Sequence, residues 1–212
     1  MTRLTIDLTM SLDGYVAGPD PSQQDPLGVG GERLHEWAFA ASSWQEQHGH
    51  EGGEAGADAD VIQEHLDAIG ASIMGRKMYS GGTGGWEDDP NPRGWWGDTP
   101  PFGHPVFVLT HHARQPLEME GGTTFHFVTD GIEAALERAR EAAGGKDVHV
   151  AGGAEAAQQY LRQADTIQLH VAPVLLGGGT RLFEGLSDPP GLEIDRVVAS
   201  PAVTHLRYRV AS

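Results

Sequence analysis

A short apolar run that ends in glycine and two cations constrains the fold of this chain more than any other stretch. Ile73 and Met74 are followed by Gly75, Arg76 and Lys77, and the next residues can begin a helix. The pattern predicts a buried strand that turns into a helix, and such a turn presents free backbone N–H groups. A guanidinium and an ammonium beside those groups would make a site for a phosphate. The alternative is a plain strand that ends in two solvated cations.

Two later stretches repeat this arrangement. The apolar run 105–109 is followed by polar residues at 110–112, and the run 148–151 is followed by a glycine pair and a helical segment. Parallel α/β sheets bind ligands at the carboxyl ends of their strands. The sequence therefore predicts an α/β fold with a mostly parallel twisted sheet and one shared anion site at the strand ends. Alternating residues over 192–200 and 202–211 add a prediction of an antiparallel C-terminal hairpin.

Length and composition limit the possible functions. A chain of 212 residues predicts one domain, residues 1–212. The formal net charge of -16 argues against nucleic-acid and anionic-membrane partners, so a phosphate site would have to be a local basic pocket. The absence of cysteine excludes disulfides, thiol nucleophiles and cysteine zinc sites. No apolar run approaches the length of a membrane span and no signal-peptide pattern opens the chain, so we expect a cytoplasmic protein.

Periodicity predicts the main helices. One helix is expected over 32–44, and a second begins at Asp58 or Asp60 and ends at Gly70. A third is expected after Asp130, which would form a capping box with Glu133.

The segment 81–104 carries three tryptophans among prolines, glycines and acids. So many large aromatic residues argue against disorder and predict a structured loop. It would either wall a substrate pocket or cover a dimer interface.

Several motifs, in this order along the chain, resemble the dihydrofolate-reductase-like family. They are Ser11-Leu12-Asp13-Gly14, Gly75-Arg76-Lys77, the glycine pair at 152–153 and Gly177-Gly178-Gly179. The resemblance runs from about Leu4 to Arg209 and is nearest to the reductase domain of riboflavin biosynthesis and its stand-alone relatives. It implies a three-layer fold, in which helices flank the sheet. It also implies the activity of a pyridine-nucleotide-dependent reductase.

The resemblance implies NADPH as the cofactor, with NADH as a possibility. The residues that would bind it lie at the three strand ends: Gly75, Arg76, Lys77, Met78, Thr110, His111, His112, Gly152, Gly153, Ala154 and Glu155. In NADP-dependent members, polar residues after the second of these strands hold the 2′-phosphate. The usual arginine is missing there, although Arg114 lies close, so the preference for NADP over NAD stays open.

The resemblance also implies a substrate side. Asp13 would lie near the nicotinamide and orient the substrate or relay a proton, and Tyr15, Trp37 and Gly178 would contact the substrate. The substrate would be a small polar heterocycle or carbonyl compound, as in the reduction of 5-amino-6-(5-phosphoribosylamino)uracil. The bifunctional relatives also carry a zinc deaminase with cysteine ligands, which this sequence cannot supply. Reductases of this type are often homodimers, so we expect a homodimer.

Two alternatives from other classes stay open. The first is a nucleotide-binding module that holds NADP without turnover. The second is a metal-dependent hydrolase that would use His48, His50 and Glu51 in the polar insertion 45–57, although these residues lack the helical spacing of known zinc motifs.

Overall fold

The computed structural model describes residues 2–22 and 25–211. Its strands, in chain order, are β1 (Leu4–Ser11), β2 (Tyr15–Ala17), β3 (Ile69–Gly75), β4 (Pro105–Leu109), β5 (Leu117–Glu118), β6 (Thr124–Val128), β7 (Asp147–Gly152), β8 (Thr166–Ala172), β9 (Thr180–Arg181), β10 (Leu192–Ala199) and β11 (Thr204–Val210). Its α-helices are α1 (Glu36–Ala40), α2 (Ser42–Gln47), α3 (Ala57–Ala68), α4 (Arg76–Ser80), α5 (Ile132–Ala142) and α6 (Ala154–Tyr160). Within the described residues, no helix has the length and apolar character needed to cross a membrane.

The chain divides into two compact units, with β1 contributing to both. The first unit contains the residues up to Ile6 and Ile69–Ala164, and the second contains Asp7–Ala68 and the residues from Asp165 onward. The prediction of a single domain stays a prediction.

The first unit is built on parallel strands in the order β1-β7-β3-β4-β6, with the short β5 antiparallel at the edge. The register sets Ile73 beside both Val150 and Phe107. All three side chains are buried, as expected for parallel strands covered on both faces. Helix α5 packs against β3, β4 and β7, so helices flank the sheet as predicted.

The second unit carries the antiparallel strands. Its order is β10-β11-β8-β1, and the pairs β10/β11 and β11/β8 are antiparallel, which confirms the predicted C-terminal hairpin. A separate ribbon pairs β2 with β9, with Tyr15 opposite Arg181. This ribbon was not predicted, because strands of two and three residues are too short to show a period.

The tryptophan-rich segment is structured, as predicted. Trp86 and Trp96 pack against the buried cluster of the first unit, and Tyr79 meets Trp86, Phe125 and Phe127 edge to ring. Such edge-to-face contacts are favourable because the positive ring edge meets the negative ring face. Its predicted role as a pocket wall or dimer cover stays a prediction.

The prediction of one helix over 32–44 is wrong. A short 3-10 helix at Gly31–Leu34 is followed by α1 and then α2, and Ala41 between them is extended, with φ -74° and ψ 139°. The break is fixed by the polar insertion, because the N–H of Ser42 donates to the carbonyl of Glu54 and the N–H of Glu54 donates to Ala40. These long-range backbone hydrogen bonds replace the helical ones.

Two predicted helix ends are also wrong. Gly70 does not end α3 but lies inside β3, where an added Cβ would stand 2.1 Å from the carbonyl oxygen of Ala143, so glycine is required for close packing. Asp130 does not cap α5: Gly131 precedes that helix without a side-chain cap, and the Asp130 carboxylate instead accepts from Arg138.

Candidate functional site

The first unit brings three of the predicted segments to one edge. Parallel pairing sets Gly75 beside Leu109 on β4, and sets Met74 beside Gly152 on β7. The turns that follow these strands therefore leave the same edge of the sheet, as the motif pattern predicted. Neighbouring strands lie about 4.8 Å apart, so one extended phosphate-bearing ligand can span all three.

Two glycines keep the backbone at this edge open. A Cβ on Gly153 would meet nothing within 4 Å, and a Cβ on Gly75 would stand 3.8 Å from the Gly153 nitrogen. Gly152 adopts φ 125° and is joined to Gly153 by a cis peptide bond. Because Gly153 is exposed and carries no side chain, an anionic group can approach the backbone there. The helices that follow have only five and seven residues, so the local amides matter more than a helix dipole.

Arg76 does not present its guanidinium to solvent. The side chain is 8% exposed, forms an ion pair with the fully buried Asp89, donates to Ser80 Oγ at 3.1 Å and lies 3.4 Å from the Trp86 ring centroid. Its Nη1 is buried without a partner among the described residues. In this conformation Arg76 anchors the tryptophan-rich segment, which neither the phosphate prediction nor the solvated-cation alternative described. Direct contact of Arg76 with a phosphate stays a prediction.

Lys77 is the cation that remains exposed at this edge. Its Nζ lies 3.0 Å from Glu155 Oε1 of α6, and the two side chains are 64% and 77% exposed. An ion pair this exposed is weak, about 0–1 kcal/mol, so an incoming phosphate can compete for the ammonium. Met78 instead packs against the apolar cluster, and Ala154 is buried.

The residues after β4 form a turn that is held by hydrogen bonds. Thr110 is buried and its Oγ1 accepts from the His112 N–H at 3.1 Å, while the His112 carbonyl accepts from the Trp86 indole at 2.8 Å. His111 is exposed. Arg114 places its guanidinium 4.7 Å from the Trp86 ring centroid. The turn thus carries a cation close to the predicted adenosine end.

In the second unit, Asp13 orders a loop. Its carboxylate accepts from the N–H of Leu176 at 3.1 Å and of Gly177 at 2.7 Å. A hydrogen bond with Ser11, together with these two amides, outweighs desolvation and lowers the pKa of Asp13 to about 2. Asp13 is therefore ionised near neutral pH and has no proton to give. A role in orienting the substrate stays a prediction.

Tyr15, Gly178 and Arg181 lie around the same loop. Arg181 donates to the Tyr15 hydroxyl at 3.0 Å and to the Asp13 carbonyl at 3.2 Å, and its guanidinium lies 4.4 Å from the Tyr15 ring centroid. A Cβ on Gly178 would meet nothing within 4 Å. Sequence reasoning missed Arg181, although its place directly after the predicted Gly177–Gly179 motif could have indicated it.

The substrate contact predicted for Trp37 stays a prediction, and Trp37 lies in the core. It is 6% exposed and its ring packs at 4.7 Å from His170 and 5.1 Å from His205. Its indole nitrogen is buried without a partner among the described residues. A buried donor of this kind is completed by a water or by a ligand oxygen. Nearby, burial and the charge of His170 lower the pKa of His35 to about 4.

The histidines of the polar insertion show no metal-binding geometry. His48 stacks on Trp44 with ring centroids 4.2 Å apart, and its Nδ1 lies 2.8 Å from the Trp44 carbonyl. Over residues 2–22 and 25–211, no group of three or more histidine, aspartate or glutamate side chains could hold a metal ion. That part of the chain therefore offers no ligand set for the alternative of a metal-dependent hydrolase.

The chain matches one family profile over most of its length. Residues 2–206 match the family profile described as the RibD C-terminal domain. A comparison with curated proteins gave no match.

Solved structures with similar folds include three reductase-related proteins. A putative riboflavin biosynthesis protein from Shewanella sp. PV-4 has a TM-score of 0.62 at 18% identity, over 100% of both chains. A diaminohydroxyphosphoribosylaminopyrimidine deaminase/5-amino-6-(5-phosphoribosylamino)uracil reductase from Thermotoga maritima has a TM-score of 0.54 at 14% identity, over 99% of this chain and 57% of that one. Dihydrofolate reductase from Enterococcus faecalis, complexed with NADP(H), has a TM-score of 0.53 at 13% identity, over 99% of this chain and 97% of that one. The fold is therefore dihydrofolate-reductase-like.

The Arg76–Asp89 pair predicts a large loss of stability on Asp89→Asn. The substitution leaves a buried guanidinium without its counter-charge, which costs about 3–5 kcal/mol. Chemical denaturation of both proteins measures the difference. The control is Asp98→Asn, which breaks the exposed Arg93–Asp98 pair and should cost less than about 1 kcal/mol. Equal effects of the two substitutions would contradict a buried anchoring role for Arg76.

The Asp13 loop predicts a local effect of Asp13→Asn. An amide side chain has one carbonyl oxygen and no charge, so it cannot hold both backbone donors, and amide hydrogen exchange of Leu176 and Gly177 should accelerate about tenfold or more. The same measurement on Asp20→Asn, which changes another carboxylate of the second unit, should show no acceleration there. Unchanged exchange in Asp13→Asn would show that the carboxylate does not order this loop.

Proposed function

The chain belongs to the RibD C-terminal domain family, and from that membership we propose that it is an NADPH-dependent reductase. It would transfer hydride to a small polar heterocycle or carbonyl compound. The observation that carries the proposal is the common edge of β3, β4 and β7, where open glycine backbone and an exposed lysine lie together. Family membership supports the oxidoreductase activity itself.

The residues at this edge fit a dinucleotide with two phosphates. The amides of Gly153, Ala154 and Glu155 would face the pyrophosphate, because the space beside the exposed Gly153 is open. Lys77 would leave Glu155 and pair with a phosphate oxygen. Gly75 and Gly152, at the ends of the same aligned strands, would contact the cofactor through their backbone. Contacts of Arg76 and Met78 with the cofactor stay predictions.

The adenosine end would lie on the turn after β4. Thr110, His111 and His112 would face the ribose, and Arg114 is the nearest permanent cation for a 2′-phosphate. No arginine lies at 110–112, so NADH stays a possible cofactor. The 2′-phosphate would select NADPH only if Arg114 engages it.

The substrate side would be built from the second unit. When bound, the nicotinamide supplies the hydride. Trp37 would donate its unpartnered indole N–H to a substrate oxygen or nitrogen, which satisfies a buried donor. Tyr15 and Gly178 would contact the substrate, and Asp13 would orient it through the loop that its carboxylate fixes.

The substrate itself is proposed only as a class. The Thermotoga maritima protein is named a 5-amino-6-(5-phosphoribosylamino)uracil reductase, and the proposed substrate is a polar heterocycle or carbonyl compound of that kind. A place in riboflavin biosynthesis follows by the same likeness. A homodimer and a cytoplasmic location stay predictions.

A non-catalytic nucleotide-binding module is the second candidate. Asp13 is the one residue predicted to be catalytic, and its pKa of about 2 leaves it without a proton near neutral pH. The module would bind NADPH as tightly as the reductase but would not oxidise it in the presence of any pterin, uracil or carbonyl compound.

Titration with NADPH and NADH tests the proposal. Lys77→Ala should weaken NADPH binding about tenfold because one charge-assisted contact is lost. Glu155→Gln should strengthen it about threefold, because Lys77 is released and a repulsive carboxylate disappears. Opposite signs from the two halves of one ion pair are a result that loss of folding cannot produce.

The control removes a cation at the other edge of the same strands. Arg3 lies just before β1 and pairs with Asp147 at the start of β7, so Arg3→Ala has the same charge change as Lys77→Ala away from the strand ends. It should leave the affinity within about twofold, which is the size of a screened surface charge. No binding of either nucleotide, or equal losses in the two alanine variants, would contradict the proposed function.

A further inference from the structure

Five ionisable side chains of the second unit form a continuous hydrogen-bonded row. His170 of β8 and His205 of β11 face each other with their Nδ1 atoms 2.6 Å apart. His170 Nε2 lies 2.8 Å from Asp7 Oδ1, and His205 Nε2 lies 2.9 Å from Asp58 Oδ1. At one end, His65 Nδ1 lies 3.0 Å from the other oxygen of Asp7.

The row is buried in its middle and reaches solvent at its ends. The side chains of His170 and His205 are 7% and 1% exposed, whereas those of Asp58 and His65 are 20% and 23% exposed. Trp37 covers both imidazole rings. Water therefore cannot satisfy the two central rings, and their hydrogen bonds must be made within the row.

Counting protons along the row fixes its charge. A carboxylate accepts only, so each Nε2 that faces Asp7 or Asp58 must carry a hydrogen. Between the two Nδ1 atoms, one must donate and the other accept. The two rings thus hold three hydrogens on four nitrogens, and one ring of the pair is an imidazolium.

We propose that His170 and His205 share one proton between their Nδ1 atoms, and that this single buried cation between two aspartates fixes α3 to the strands in a pH-dependent way. Asp58 and His65 are both on α3, seven residues apart and so on one face of the helix. Ala59 and Val61 of α3 are buried and Ile62 packs half-buried against the Trp37 cluster, so apolar contacts supply one anchor. The ionic row supplies the second anchor.

The surrounding charges indicate which of the two rings, His170 or His205, carries the shared proton. Burial would raise the pKa of Asp7, but His65 and His170 outweigh it and hold that pKa well below its ordinary range, so Asp7 is ionised. Burial lowers the pKa of His205 more than its hydrogen bond to Asp58 raises it. His205 is therefore the accepting, neutral ring, and His170 is the donating, cationic one.

Other titratable groups near the row do not replace this pair. His35 carries a lowered pKa, from burial first and from the charge of His170 second, so it stays neutral. Glu64 of α3 pairs with Arg196 and Arg207 instead, which hold its pKa low against desolvation. Ser200 donates to the second oxygen of Asp58.

The sign of the pH dependence follows from the row. When the shared proton leaves at high pH, two nitrogen lone pairs face each other at 2.6 Å and the bond is lost. When the second Nδ1 takes up a proton at low pH, two N–H groups face each other and the bond is lost. The charge of Asp7 persists to lower pH, because its pKa is held well below the ordinary range. The anchor is therefore complete only between these limits, and α3 is held most firmly there.

Nitrogen NMR of the ¹⁵N-histidine-labelled wild-type protein tests the shared proton directly. At about pH 7, one of the two rings should be protonated on both nitrogens and the other on Nε2 alone, with a strongly downfield proton coupled to an Nδ1. Two neutral rings, or two fully protonated rings, would overturn the proposal. This measurement needs no variant and so does not depend on a substitution that folds.

Amide exchange of α3 tests the mechanical consequence. Protection factors of the α3 amides should fall about tenfold on going from about pH 7 to about pH 9 or pH 4.5, while those of β10 stay level. Glu64→Gln, on the same helix but outside the row, should keep this bell shape, and Asp58→Asn should flatten its high-pH side. A bell-shaped profile that Asp58→Asn leaves intact, or no dependence in the wild type, would overturn the role of the pair in holding α3.

Discussion

The parallel register of β3, β4 and β7 is the constraint on which the candidate cofactor site depends. Because Met74 pairs with Gly152 and Gly75 with Leu109, the three strands end together and their turns face one edge. Gly75 and Gly153 have no side chain, so the backbone that a phosphate must approach stays open at these two positions. Strand pairing supplies the alignment, and glycine supplies the access.

Charge is distributed so that this edge keeps a cation in an acidic chain. The net charge of -16 would repel an anionic cofactor, and Arg76 is already committed to Asp89 beneath Trp86. The buried pair holds the tryptophan-rich segment on the core, while Lys77, in a weak exposed pair, is left to exchange partners. Of the two adjacent basic residues, Arg76 stabilises the structure and Lys77 is the proposed phosphate ligand.

Local patterns predicted the strands and the strand-end glycines, because period and composition are properties of neighbouring residues. The parallel sheet and the C-terminal hairpin followed from them, whereas the family was identified by the resemblance of the motifs. Partners distant in sequence could not be predicted: the amides of Leu176 and Gly177 that bind Asp13, the Glu54 backbone that breaks the helix at Ala41, and the meeting of His170 with His205. Each requires the tertiary fold.

The central claim is that a dinucleotide phosphate lies on the backbone after β3 and β7. Hydrogen exchange of the protein with and without saturating NADPH measures this directly, residue by residue. We expect slower exchange of the amides at 75–78 and 153–155, with no change at the amino ends of the same strands. Binding of NADPH that leaves both turns unprotected, or protection confined to other segments, would contradict it.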